Sequence, residues 1–173
     1  SSTEDELVLP QGYTYQVVAP WGLDLGNGQT VGYNHDWVGF YPVNLLETGL
    51  DVASVHNGFL PASASSEEGI LVINHEYVNP MFVSGLAADA TEKTAEQIAT
   101  EQAAVGMSVL HIKKDAEGKW ALVEGSANTR RIDATTKITL TGPAADIDGG
   151  PEAIGTLANC SGGTTPWGTA LSC

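Results

Sequence analysis

Glycine and proline cut this chain into short pieces. Its 173 residues include 20 Gly and 8 Pro, spread along the length and not gathered in a linker. Glycine supplies turn conformations that other residues resist, and proline ends both helices and central strands, so spacing of this kind leaves room mainly for short strands. Residues 13–18 (YTYQVV) alternate and are rich in strand formers. Residues 69–74 (GILVIN) read as a buried strand ending in His75-Glu76-Tyr77. Residues 105–113 and 119–124 flank Lys114-Asp115-Ala116-Glu117-Gly118, a hairpin with glycine where a left-handed residue is wanted. Residues 137–141 (KITLT) form another short strand. One segment differs: residues 90–104 lack Gly and Pro and are dense in Ala, Glu and Gln. They predict a surface helix near residues 92–104, capped by Thr91 or Thr94, with a thin apolar face of Ala, Ile98 and Val105. The expected class is all-β, as a sandwich, barrel or propeller, with one minor helical insertion.

Charge narrows the function classes. Seven Lys and Arg stand against 21 Asp and Glu, a net charge of −14. A nucleic-acid binder needs cationic surface to displace counterions, and an anionic membrane face repels such a chain. No apolar run approaches the roughly 18 residues that span a bilayer. An apolar share of 42% is enough for a real core. The first residues, Ser1-Ser2-Thr3-Glu4-Asp5-Glu6, show neither an initiator Met nor an apolar leader, which predicts that an export signal or upstream segment has been removed.

Three polar clusters could carry chemistry. Tyr33-Asn34-His35-Asp36-Trp37 and Asn74-His75-Glu76-Tyr77 each set an amide, an imidazole and a carboxylate side by side. Strand neighbours point to opposite faces, so at most alternate members share one site; capping and hydrogen bonding of strand ends is the plainer reading. The clusters read as separate, so His35 and His75 are not expected to hold one zinc together. The third cluster is residues 155–173, where Gly162-Gly163 predicts an exposed nest of N–H groups flanked by Ser and Thr hydroxyls, without the Lys of a nucleotide-binding loop. Cys160 beside Asn159 is a candidate soft metal ligand. Cys160 and Cys173, with 12 residues between them, equally fit a loop-closing disulfide.

Asn159-Cys160-Ser161-Gly162-Gly163-Thr164-Thr165-Pro166-Trp167-Gly168-Thr169-Ala170-Leu171-Ser172-Cys173 closely resembles the signature block of PhoX-type alkaline phosphatases. Asn74-His75-Glu76 at a strand end, Glu101-Gln102-Ala103-Ala104-Val105-Gly106, Asn128-Thr129-Arg130-Arg131-Ile132 and Leu140-Thr141-Gly142-Pro143-Ala144-Ala145 fit the family in order. The resemblance implies a β-propeller, secreted or periplasmic, that hydrolyses phosphomonoesters at a centre of ferric iron and calcium. It implies that Cys160 is an iron ligand, in which case a disulfide would consume the thiolate. Cys173 would then end a strand entering the interior, as a small apolar residue. Asn74, His75, Glu76 and Asn159 become candidates for metal ligation or for support of a ligand. Thr165, Arg130 and Arg131 become candidate phosphate contacts, against the reading of the two arginines as a solvated strand end with at least one pairing a nearby acid.

The family pattern continues with two Glu where this sequence stops. Residues 1–173 are therefore expected to be the N-terminal portion of one propeller, completed by the remainder of that propeller and inactive alone. The competing expectation is a non-catalytic extracellular propeller or assembly subunit of the same fold.

Overall fold

The computed structural model describes residues 7–45, 63–143, 145–146, 149–165 and 167–173. Residues 1–6, and Ala144 and Pro166 of the family motifs, lie outside the described residues. Strand outweighs helix throughout. The main sheet orders β1 (His35–Pro42), β2 (Glu68–His75), β3 (Gly106–Lys114) and β4 (Trp120–Leu122), all antiparallel. The long β3 divides its far edge: residues 112–114 pair with β4, and residues 107–109 with β5 (Arg130–Ile132). Two hairpins stand apart, β6 (Lys137–Thr139) with β7 (Glu152–Ile154) and β8 (Gly162–Thr164) with β9 (Ala170–Ser172). No sheet closes on itself among the described residues.

The unbroken apolar run of β2 is explained by burial on both faces. On one face Ile73, Leu110 and Ile112 pack with Leu25 and Val31. On the other, Val72 packs with Tyr41 and Leu45. The Asp115 carboxylate organises the β3–β4 turn by accepting the N–H groups of Glu117 and Lys119 at 3.0 and 2.8 Å. Gly118 there takes the expected left-handed conformation, φ +78°.

Helix α1 (Pro80–Val83) is a single turn that the sequence did not announce. Helix α2 (Ala95–Ala104) starts slightly later than its composition predicts, because Thr94 caps it in a reciprocal capping box with Gln97. Its thin apolar face leaves Ile98 exposed, while Glu101 is buried and bonded to Lys93 and Ser84. Gly106 turns the chain from α2 into β3 at φ +91°; a Cβ there would lie 2.2 Å from the Ile132 carbonyl oxygen.

Two expectations are corrected. Residues 13–18 are not a strand: Tyr13, Tyr15 and Val17 are exposed, and the β4 edge is met by a side chain instead. The Gln16 amide donates to the Trp120 carbonyl at 2.6 Å and accepts the Trp120 N–H at 2.9 Å, taking the place of a strand backbone. Gly162-Gly163 is not an N–H nest either, because both residues belong to β8. The reason for glycine at 162 is packing: a Cβ would lie 2.3 Å from the Trp37 ring.

Candidate functional site at the end of β2

A bulge shapes one end of the main sheet. His35 pairs with His75 and Val38 with Ile73, so Asp36 and Trp37 together oppose Asn74. The Trp37 indole lies over Gly39 of its own strand and Gly162 of β8. Neither glycine has room for a Cβ, and this contact docks the β8–β9 hairpin on β1.

Cys160 sits where these elements meet. It is half-buried, and both cysteines are free thiols, so the disulfide reading is not met. Its carbonyl accepts the Trp37 N–H at 3.3 Å and the Asn74 side-chain amide at 3.1 Å. The same amide donates to the Ser161 carbonyl at 2.9 Å. Asn74 in turn accepts the Ser172 hydroxyl at 2.9 Å, and Ser172 accepts the Asn159 amide at 2.8 Å. Asn159 is completed by the Thr156 hydroxyl at 3.0 Å. Asn74 and Asn159 are both buried, so these bonds form a closed clasp away from competing water. The preceding Ala158 is held at φ +60°, a conformation that costs a non-glycine residue about 1–2 kcal/mol. Cys160 and Cys173 face each other through the backbone, with Cys160 N–H to Cys173 carbonyl at 2.9 Å. Cys173 is exposed, which corrects its reading as an interior residue.

His75 lies on the opposite face of β2 from Asn74 and is fully buried. Its ring meets that of His35 edge to face at 4.9 Å, so the two clusters that the sequence separates are cross-strand neighbours. Nδ1 lies 3.1 Å from the Tyr33 carbonyl and Nε2 2.8 Å from the Ser108 hydroxyl, so both ring nitrogens are occupied. Burial, reinforced by the Arg131 charge, pushes the His75 pKa down to about 3, which keeps the ring neutral at ordinary pH.

The remaining predicted residues divide. Arg131 is not a solvated strand end; it makes no direct ion pair among the described residues, though the charge of nearby Asp133 favours its cation. It is buried, with Nη1 bonded to Ser108 and Nη2 to the carbonyls of Ala103 and Val105, which occupies both terminal nitrogens. Burial lowers its pKa to about 10, still well above neutrality. Arg130 is exposed and donates to the Asn128 carbonyl at 3.1 Å. Thr165 closes the β8–β9 turn, its hydroxyl accepting the Thr169 N–H at 2.9 Å. Glu76 follows β2, half-buried, and is joined through its N–H to the Asn34 carbonyl at 3.3 Å. Trp37 and Ser172, named in the sequence only as members of a cluster and a motif, emerge as parts of the site, and Ser108 joins them. Ser108 alone carried a signal, as a hydroxyl among apolar neighbours on an inward-facing position of β3.

The donor set does not fit a complete metal centre. Among the described residues no three His, Cys, Asp or Glu side chains gather to hold an ion. Cys160 offers one soft donor, whereas calcium takes several oxygens and iron more than one ligand.

The fold and site define an all-β protein that presents a free thiol on a clasped hairpin at a sheet end. Over residues 1–173 the chain matches the family described as alkaline phosphatase PhoX, and it belongs to that family. It is similar to the solved structure of Pseudomonas fluorescens PhoX in complex with vanadate, a transition state analogue, at 27% identity and a TM-score of 0.71. The similarity covers 96% of this chain and 29% of that chain, so the sequence spans under a third of that relative's length. No curated protein matches it.

Proposed function

We propose that this chain supplies the Cys160 corner of a phosphomonoester-hydrolysing site. The observation that carries this reading is the clasp. Asn74, Ser172 and Asn159 fix the backbone of Cys160 and Ser161 while the Cys160 thiol stays free. Membership of the alkaline phosphatase family and likeness to a relative solved with a transition state analogue of phosphoryl transfer support the reaction class.

In this reading residues 1–173 are the N-terminal portion of one β-propeller domain, secreted or periplasmic. Cys160 contributes a thiolate to a centre of ferric iron and calcium whose other ligands come from the remainder of the propeller. The short span relative to the solved relative supports the partial-propeller reading. Asn74 and Asn159 act as supports of Cys160, not as ligands, because their side-chain atoms are already bonded. Arg130 and Thr165 remain the candidate phosphate contacts; Arg131 is committed elsewhere.

The test uses the complete protein, with iron per chain measured by elemental analysis beside turnover of a chromogenic phosphomonoester. Cys160→Ser is expected to lose iron and most turnover, whereas Cys173→Ser keeps both. Retention of iron and rate by Cys160→Ser would remove Cys160 from the site. A complete protein with no turnover would favour the non-catalytic propeller.

A further inference from the structure

Arg131 brings a charge into the protein with no direct ion pair among the described residues; the Asp133 carboxylate, two residues on, favours its charge only from a distance. What surrounds it instead is the end of a helix. Nη2 donates to the Ala103 carbonyl at 3.0 Å and the Val105 carbonyl at 2.6 Å, where α2 finishes. Terminal carbonyls lack partners within the helix and carry the negative end of its dipole, so they compensate the guanidinium in place of a carboxylate. Nη1 donates to the Ser108 hydroxyl at 2.9 Å.

The direction of the next bonds is fixed by chemistry. The Tyr33 carbonyl can only accept, so a neutral His75 must carry its proton on Nδ1. Nε2 is then an acceptor, and Ser108 must give it the hydroxyl proton while accepting from Arg131. All three side chains are buried, and the backbone at Gly32 packs closely against two of them. A Cβ on Gly32 would lie 2.6 Å from His75 Cδ2 and 2.7 Å from both the Ala104 carbonyl oxygen and Arg131 Nη1.

We infer that Arg131, Ser108 and His75 are positioning residues for Cys160. The chain of donors runs from Arg131 through Ser108 and His75 to the Tyr33 carbonyl and so fixes the approach to β1. Trp37 of β1 donates its N–H to the Cys160 carbonyl, and Asn74, the neighbour of His75, grips the same carbonyl from β2. Both elements that hold Cys160 are therefore tied to one buried relay on the far face of the sheet. The importance of Cys160 rests on the proposed function; the relay does not.

The experiment needs no metal. Nitrogen-15 spectra of histidine-labelled protein, prepared with a chelator, report the His75 tautomer, with His75→Gln giving the assignment. Alkylation of Cys160 by iodoacetamide, followed by peptide mass spectrometry, reports how firmly the hairpin is held. The wild type is expected to show the Nδ1–H tautomer. Ser108→Ala is expected to mix the tautomers and to speed Cys160 alkylation by up to about tenfold, the change in local opening for a loss of about 1.4 kcal/mol. Ser108→Thr, which keeps the hydroxyl, is expected to restore both. An Nε2–H tautomer in the wild type would overturn the relay whether or not Ser108→Ala folds. An unchanged alkylation rate in folded Ser108→Ala would overturn its link to Cys160. Loss of iron binding in Cys160→Ser addresses the proposed function separately.

Discussion

Asn74 is the residue whose replacement should cost most at this site. It is fully buried and makes three hydrogen bonds, two as donor to the Cys160 and Ser161 carbonyls and one as acceptor from Ser172. At about 1 kcal/mol net per bond, the clasp is worth about 3 kcal/mol. Both carbonyls keep another donor, Trp37 N–H at 3.3 Å and Cys173 N–H at 3.0 Å, so neither is orphaned by truncation. Asn74→Ala is therefore expected to cost about 2 kcal/mol, read by urea denaturation at neutral pH. Asn74→Asp sharpens the test, because it would set a carboxylate against two carbonyl oxygens. The folded state then favours the protonated acid, so its pKa is raised above the unfolded value of about 3.9. A raised acid holds its proton more tightly when folded, so stability is full at low pH and falls as pH rises toward the folded pKa. The slope approaches about 1.4 kcal/mol per pH unit. Asn74→Ala should show no such added slope. A cost below about 1 kcal/mol for Asn74→Ala, or an Asn74→Asp penalty that does not grow between pH 4 and 7, would refute the clasp.

Two further outcomes follow from the opposite face. With the His75 pKa lowered to about 3 from 6.5, the unfolded state binds the extra proton. Stability should therefore fall as pH drops from 6.5 toward 3, by at most about 1.4 kcal/mol per unit, and His75→Gln should flatten denaturation midpoints measured across that window. Gly32→Ala should destabilise by about 1–3 kcal/mol, because its Cβ meets a ring carbon, a carbonyl and a guanidinium at once. Gly118→Ala, with open space around it, should cost only its backbone strain, about 1 kcal/mol, and both glycine variants are read by urea denaturation.

The elements read correctly from the sequence are those whose local signals agree with their surroundings. β2 and the β3–β4 hairpin combine apolar runs with the right turn residue, and α2 has composition and a cap. β1 was hidden because it opens on His35, Asp36 and Trp37, which look like a site, and contains Gly39, which looks like a break. That glycine serves the strand: it leaves room for the Trp37 ring. The alternation of residues 13–18 is real but found no free strand edge, since one glutamine amide already satisfies the Trp120 backbone. Of the three-residue strands, β4 and β6 lie in runs that the sequence marks, whereas β5 and β8 leave no periodic trace.

The site divides along the same line. Asn159 and Cys160 were legible from a fixed motif, and Asn74 from its place at a strand end. Arg131 was misread because a charged pair in sequence ordinarily marks solvent, and nothing local shows that a helix terminus will arrive to solvate it. The alternation rule, that neighbours on a strand cannot share a site, holds for the side chains: Asn74 bonds the Cys160 hairpin while His75 bonds Ser108 across the sheet. It does not hold for their effect. Because a strand is one covalent backbone, fixing His75 on one face limits where Asn74 can stand on the other. Two adjacent residues with no common contact can then bear on the same thiol.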